Sequence, residues 1–208
     1  MNYLAHTLLS KNNIDYQLGN LLADVLKGEG WVGASQQHLD GLNMHKQIDK
    51  FTDNSHIVRQ ALSTLGSGYL KGVVLDITFD YFLSKHWDKF VTIEKDVFIQ
   101  NFYEHAKKQG SNLPSKANEF VTAIAKYDIL GNYNTLIDLE QVFQRVNRRL
   151  SHRLLAKENT TDYLPRITEN YDKLEQDFLQ FFPTLIALFL QQSQAKSSEH
   201  LFKLDLPV

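Results

Sequence analysis

The sequence contains no cysteine. That absence excludes disulfides, thiolate zinc sites and a cysteine nucleophile, and it agrees with a reducing cytosol. Long apolar runs are missing as well. A membrane helix needs roughly 18 apolar residues in a row, and the longest candidate, Phe178–Leu190, is interrupted by Gln180, Pro183 and Thr184. The first ten residues lack a basic start and a cleavable small-residue site, so no secretory signal is expected. There is no excess of one charge: 22 Lys and Arg stand against 24 Asp and Glu, a net charge of −2. Nothing pulls the chain as a whole towards nucleic acid or a membrane surface, so recognition of a charged partner has to be local. The chain has no G-x-x-x-x-G-K-S/T phosphate loop, no G-x-G-x-x-G, no H-E-x-x-H and no G-x-S-x-G. A soluble, cytoplasmic protein is expected, without nucleic acid or membrane partners.

What is present is ordinary for a globular chain of 208 residues, with 43% apolar and 22% charged side chains. β-Branched alternation is nowhere sustained, and nearly every segment reads as helix. Helices are expected over Asn2–Leu9, Ile14–Leu26, Gln36–Thr52 and Ser55–Leu65, with Ser55 as an N-cap. A loop with three glycines, Gly66–Gly72, leads into Val73–Leu83; Asp96–Lys108, Ser115–Tyr127, Leu136–Leu154 and Pro165–Gln191 follow, the last kinked or broken at Pro183. With no repeat, linker or composition shift, the reading is an all-α single-domain helical bundle over residues 1–192, and a loosely ordered tail over 193–208.

One stretch asks for an explanation. Val73–Leu83 is apolar in nearly every direction, as in a helix inside a protein. Yet Asp76 and Asp80 stand four apart within it and leave the same helical face. Buried carboxylates side by side repel and are costly unless paired, so a cation is expected between them, either a metal ion or a buried Lys or Arg. His45, Asp49 and Asp53 recur at four-residue steps with Ile48 and Thr52 beside them, which brings an imidazole and a carboxylate within reach of one ion. Asp24 borders the apolar stripe Leu21-Leu22-Ala23, His6 sits among Leu4, Ala5 and Leu8, and His86 follows the buried helix. Singly, each has a bland reading as an exposed pair, a salt-bridge partner or a satisfied core histidine. Together they are harder to dismiss. The first 90 residues offer few cations to pair with them: Lys11, Lys27, Lys46, Lys50, Arg59, Lys71, Lys85 and Lys89, mostly in polar contexts. The pattern favours a metal centre over a buried ion-pair network, with a ligand set suited to Mn²⁺, Mg²⁺ or Fe²⁺ rather than a closed zinc site. Further on, Arg145, Arg148, Arg149 and Arg153 form a basic cluster, read either as a solvated helix face or as a dock for phosphate or an acidic protein. Interleaved aromatics are missing there, which counts against a nucleic-acid strand.

Four motifs carry a family resemblance: Met-Asn-Tyr-Leu-Ala-His (1–6), Gly-Asn-Leu-Leu-Ala-Asp (19–24), Met-His-Lys-Gln-Ile-Asp-Lys-Phe-Thr-Asp-Asn (44–54) and Leu-Asp-Ile-Thr-Phe-Asp-Tyr-Phe-Leu-Ser-Lys-His-Trp (75–87). With Arg148-Arg149, Tyr171–Glu175 and Phe178–Pro183, they resemble acyl carrier protein phosphodiesterases, in the same order to about residue 190. The resemblance implies an all-helical, divergent HD-domain-like phosphohydrolase, dependent on Mn(II) or, second, Mg(II), that removes phosphopantetheine from holo-acyl carrier protein. The adjacent His-Asp dipeptide that names the HD group is absent. On this footing His6, Asp24, His45, Asp49 and Asp76 are expected to hold the metal, with Asp80 a ligand or an orienting acid and His86 a proton donor to the leaving serine oxygen. Arg145, Arg148 and Arg149, with Lys46 and Lys50, would dock the acidic carrier. A phosphohydrolase of nucleotides and a non-catalytic helical binding protein are the alternatives.

Overall fold

The computed structural model describes residues 1–203. Its helices are α1 (Tyr3–Leu8), α2 (Ile14–Leu22), α3 (Gln36–Asn54), α4 (His56–Thr64), α5 (Lys71–Lys85), α6 (Trp87–Phe90), α7 (Lys95–Lys108), α8 (Ser115–Lys126), α9 (Leu136–Asn147), α10 (His152–Leu155), α11 (Leu164–Glu169) and α12 (Tyr171–Ser193). The all-helical, single-domain expectation holds, and one continuous apolar core runs from Leu4 to Phe202. Among the described residues no helix is long and apolar enough to cross a membrane.

The boundaries follow local chemistry. Ser35 and His38 form a reciprocal capping box at the start of α3, His38 N–H donating to Ser35 Oγ at 3.3 Å and Ser35 N–H to His38 Nδ1 at 3.1 Å. Ser55 caps α4 as expected, accepting from Val58 N–H. Glu158 reaches across from a distant turn to accept the Tyr69 and Leu70 N–H groups at 2.8 and 2.9 Å, satisfying the donors at the entrance to α5.

Three expectations about continuity fail. α2 stops at Leu22, so Asp24 lies in the turn beyond it. The single helix expected over 136–154 is two, α9 and α10, with residues 148–151 between them. The long C-terminal helix breaks at Asn170, where α11 ends, and α12 runs through Pro183 without interruption. The tail from 193 is not loose where it is described: Phe202 bridges to Val91, packs its ring 5.8 Å from Phe189 and is buried. Leu201 and Phe202, behind a polar run, find a slot that only the folded core supplies. Residues 204–208 lie outside the described range.

α5 runs through the centre. Phe79 and Phe82 meet Phe178 of α12 at 5.6 and 6.0 Å, and Phe90 packs edge-on against Phe182 at 5.1 Å. One edge of α5 is nevertheless open, with Val73 44% exposed. α2 and α3 cross more closely than side chains permit: a Cβ at Gly19 would sit 2.0 Å from the His38 carbonyl oxygen, and one at Gly41 would sit 2.0 Å from that of Tyr16. The crossing exists because both helices carry glycine there.

Gly41→Ala should separate the two helices, lowering stability by on the order of 3 kcal/mol. Urea denaturation followed by circular dichroism checks this; an unchanged midpoint would mean the backbones can part freely.

Candidate metal centre

Close contact of α2 with α3 sets the geometry of a cluster of titratable groups. Asn20 follows Gly19, and His45 lies one turn beyond Gly41 on α3. The crossing brings the Asn20 carbonyl oxygen 2.8 Å from His45 Nδ1. A carbonyl can only accept, so His45 carries its proton on Nδ1. The Asn20 side chain does the same for His6 of α1, its Oδ1 lying 2.9 Å from His6 Nδ1. The amide cannot turn the other way, because Asn20 Nδ2 donates to the Leu9 carbonyl at 2.8 Å and to Ser10 Oγ at 3.1 Å. One fully buried asparagine thus orients two histidines and turns both Nε2 atoms away from itself.

Those two atoms converge on one carboxylate. Asp49 Oδ2 is 3.0 Å from His45 Nε2 and Asp49 Oδ1 is 3.4 Å from His6 Nε2, while the imidazoles stack with centroids 4.1 Å apart. Asp24 Oδ1 approaches His45 Nε2 at 3.3 Å from the solvent side, its side chain 80% exposed. Among the described residues, His6, His45 and Asp49 are the group of three His or acidic side chains whose ligand atoms lie within 4.8 Å of one another. Burial alone would lower the His45 pKa, but Asp24 and Asp49 outweigh it and raise it to about 9. Burial would raise Asp49, yet His45 and His6 hold its carboxyl well below the usual range. His6, without a second carboxylate, is lowered by burial. Two carboxylates draw positive charge onto an enclosed spot.

A divalent ion fits these residues. His45 Nε2 is buried with no aligned hydrogen-bond partner, yet faces Asp49 and Asp24 carboxylate oxygens at 3.0 and 3.3 Å, an arrangement that positive charge, from a proton or a metal ion, satisfies. The donors are two imidazole nitrogens and a carboxylate, with a second carboxylate at an exposed edge. That is an open nitrogen–oxygen site rather than a closed structural one.

The two acids of α5 found a different cation. Asp80, 0% exposed, accepts N–H groups from Asn2 at 3.3 Å, Leu4 at 2.8 Å and Ala5 at 3.3 Å. It caps the first turn of α1, whose own Asn2 makes no side-chain cap. Burial pushes its carboxyl up to about 7 against those three bonds and the Met1 ammonium. Asp76 Oδ1 accepts from the Met1 α-amino group at 2.8 Å, its side chain 39% exposed. Neither acid is among the three residues of the cluster: Asp76, expected as a ligand, meets the Met1 α-amino group, and Asp80 meets the start of α1. Asp80 instead holds the helix that presents His6. His86 is also elsewhere. It ends α5, about 9 Å along the axis from Asp80, and its Nε2 is 2.8 Å from Glu175 Oε1. Lys85 shares that glutamate at 2.7 Å. This network ties α5 to α12 and occupies the imidazole expected to act as an acid.

Of the basic residues, Arg148, Arg149, Lys46 and Lys50 are exposed and Arg145 is half-buried. Arg145 and Arg149 line a cavity of about 240 Å³ with Asn2, Tyr3, Val73, Ile77, Ile129, Tyr133, Val142 and Val146.

A model of the family described as acyl carrier protein phosphodiesterase matches residues 1–185. This chain belongs to that family. Among its curated relatives are the acyl carrier protein phosphodiesterases of Yersinia pestis, 29% identical over 203 residues (94% of this chain and 99% of the relative), and of Yersinia enterocolitica, 31% identical over 194 residues (90% and 96%). That of Klebsiella pneumoniae subsp. pneumoniae is 28% identical over 191 residues (90% and 97%). No solved structure matches the chain. The family match spans every residue of the cluster, from His6 to Asp49.

Asn20 is the residue that reading the sequence missed. Its signal was there: a polar amide on an apolar stretch, directly after a glycine, must find partners inside. Asn20→Ala should keep the helical fold but weaken Mn²⁺ binding by about 10–100-fold, the usual effect of removing a group that orients a metal ligand. Calorimetric titration checks this; unchanged affinity in a folded variant would mean the imidazoles orient themselves.

Proposed function

We propose that this phosphodiesterase family member is a metal-dependent hydrolase of holo-acyl carrier protein, cleaving the phosphodiester between the carrier serine and its phosphopantetheine. Water is consumed; apo-carrier and free phosphopantetheine are the products. The observation that carries the reading is the convergence of His6 Nε2 and His45 Nε2 on Asp49, both imidazoles held by Asn20.

In this reading His6, His45 and Asp49 hold the ion, Mn(II) in first place and Mg(II) in second, with Asp24 at the open edge. Once bound, the ion supplies Lewis-acid polarisation of a phosphoryl oxygen and a water made nucleophilic at neutral pH. The protein's own part is positional. Asn20 keeps both lone pairs aimed at one point. Asp80 fixes the start of α1, so that His6 arrives with the helix rather than on a loose end. Asp24, exposed and beside His45, faces the incoming substrate and is placed to take a proton from the attacking water. Arg148, Lys46 and Lys50, all exposed, supply the local positive surface that an acidic carrier protein requires when net charge supplies none. We place the reaction in the cytoplasm, where carrier proteins serve fatty acid synthesis, and retain the distant HD-like kinship as part of the proposal.

Chelator should abolish conversion of holo-carrier to apo-carrier, followed by mass spectrometry, and added Mn²⁺ should restore it; full activity in chelator would end the metal reading. Arg148→Glu is expected to raise KM for holo-carrier by about tenfold, an effect that salt mimics in the wild type, while leaving hydrolysis of a small diester unchanged. Equal losses on both substrates would put Arg148 in the active site rather than on the docking surface.

A further inference from the structure

Arg145, half-buried, and Arg149, exposed, are more than a solvated stripe. Both line the cavity between the start of α1, the open edge of α5, the 129–133 turn and the end of α9. Its other walls are chiefly apolar: Val73, Ile77, Ile129, Val142 and Val146. Among the described residues neither arginine is paired with a carboxylate. Two unpaired guanidinium groups beside an apolar hollow match a ligand with an anionic end and an apolar chain.

The cavity and the metal cluster share α1. Tyr3 lines it, and His6 is three residues on, on the same face of the helix. Burial raises the Tyr3 phenol, Arg149 draws it down and Asp24 raises it, so charges of both the cavity and the metal edge are felt there. At about 240 Å³ the space is below the roughly 300–1,000 Å³ of sites that enclose a drug-sized molecule. It suits a narrow flexible chain and is small for a nucleoside with its sugar and base.

We propose that this cavity receives the pantetheine arm, the dimethyl and methylene groups against Val73, Ile77, Val142 and Val146, with Arg145 and Arg149 pairing the phosphate. The proposal rests on the carrier-hydrolase reading and adds to it the way the substrate's prosthetic group is recognised. Arg148, which does not line the cavity, docks the carrier; these two hold its arm.

The test uses the full chain loaded with Mn²⁺ and two probes, phosphopantetheine and inorganic phosphate, each titrated calorimetrically. In the wild type phosphopantetheine should bind at least tenfold more tightly than phosphate, the difference being the arm. Val73→Trp should erase that advantage without changing phosphate or Mn²⁺ affinity. Val73 is already 44% exposed, so the substitution fills the cavity without disturbing the core. Val142→Phe fills it from the opposite wall and should do the same. Arg149→Ala should weaken both probes. Equal binding of the two probes in the wild type, or an undiminished preference in a folded Val73→Trp protein, overturns the proposal. Parallel assays on holo-carrier separate the two readings: turnover by the wild type with an unchanged KM in Val73→Trp sinks the cavity assignment alone. Absence of turnover by the Mn²⁺-loaded wild type sinks the hydrolase reading and, with it, this one.

Discussion

Everything at the metal centre depends on how closely α2 approaches α3. At ordinary helix separations of about 8–10 Å, the carbonyl of Asn20 would not reach an imidazole on the neighbouring helix. Glycine at 19 and at 41 removes the side chains that would hold the backbones apart, and the distance collapses to a hydrogen bond. The Asn20 main chain then serves His45 while its side chain serves His6, so one residue coordinates the orientation of groups from two other helices. Orientation matters here more than affinity, because a histidine with the wrong nitrogen protonated presents a donor where a lone pair is required.

A second constraint supports the first. α1 is only six residues long, too short to be stable by itself. Its first N–H groups point into the protein, where they would be costly without acceptors. Asp80 supplies both oxygens to them from the central helix, and Asp76 meets the α-amino group beside it. The buried Asp80 carboxylate and the buried helix start neutralise one another's cost. The consequence for the site is that His6 sits on a short helix locked to the core at its beginning and to Asn20 one turn later.

The sequence made the helices legible because their apolar periodicity is strong, and it made His45 and Asp49 legible because four-residue spacing on a helix fixes their relation before any folding occurs. Asp24 and His6 were legible only jointly, as ionisable groups beside apolar ones. The misreading of Asp76 and Asp80 has a definite cause. Their spacing demanded a cation, but a count of Lys, Arg and metals omits the positive end of a helix and an α-amino group, and those were the partners. His86 was misplaced for a related reason: sequence proximity to Asp80 says nothing about Glu175, which lies 89 residues away and claims the imidazole. The split of α9 from α10, and the place of Arg145 and Arg149 at the rim of a cavity, left no mark in the local pattern of charges.

Covalent geometry and local chemistry therefore determined from the sequence alone that this is an all-helical protein carrying an imidazole–carboxylate pair suited to a divalent ion. Which acids come together with those imidazoles was decided by tertiary structure. Whether two groups on different helices meet depends on backbone separation to within about an ångström, and here that separation is set by two glycines and an asparagine whose importance appears only when the chain closes on itself.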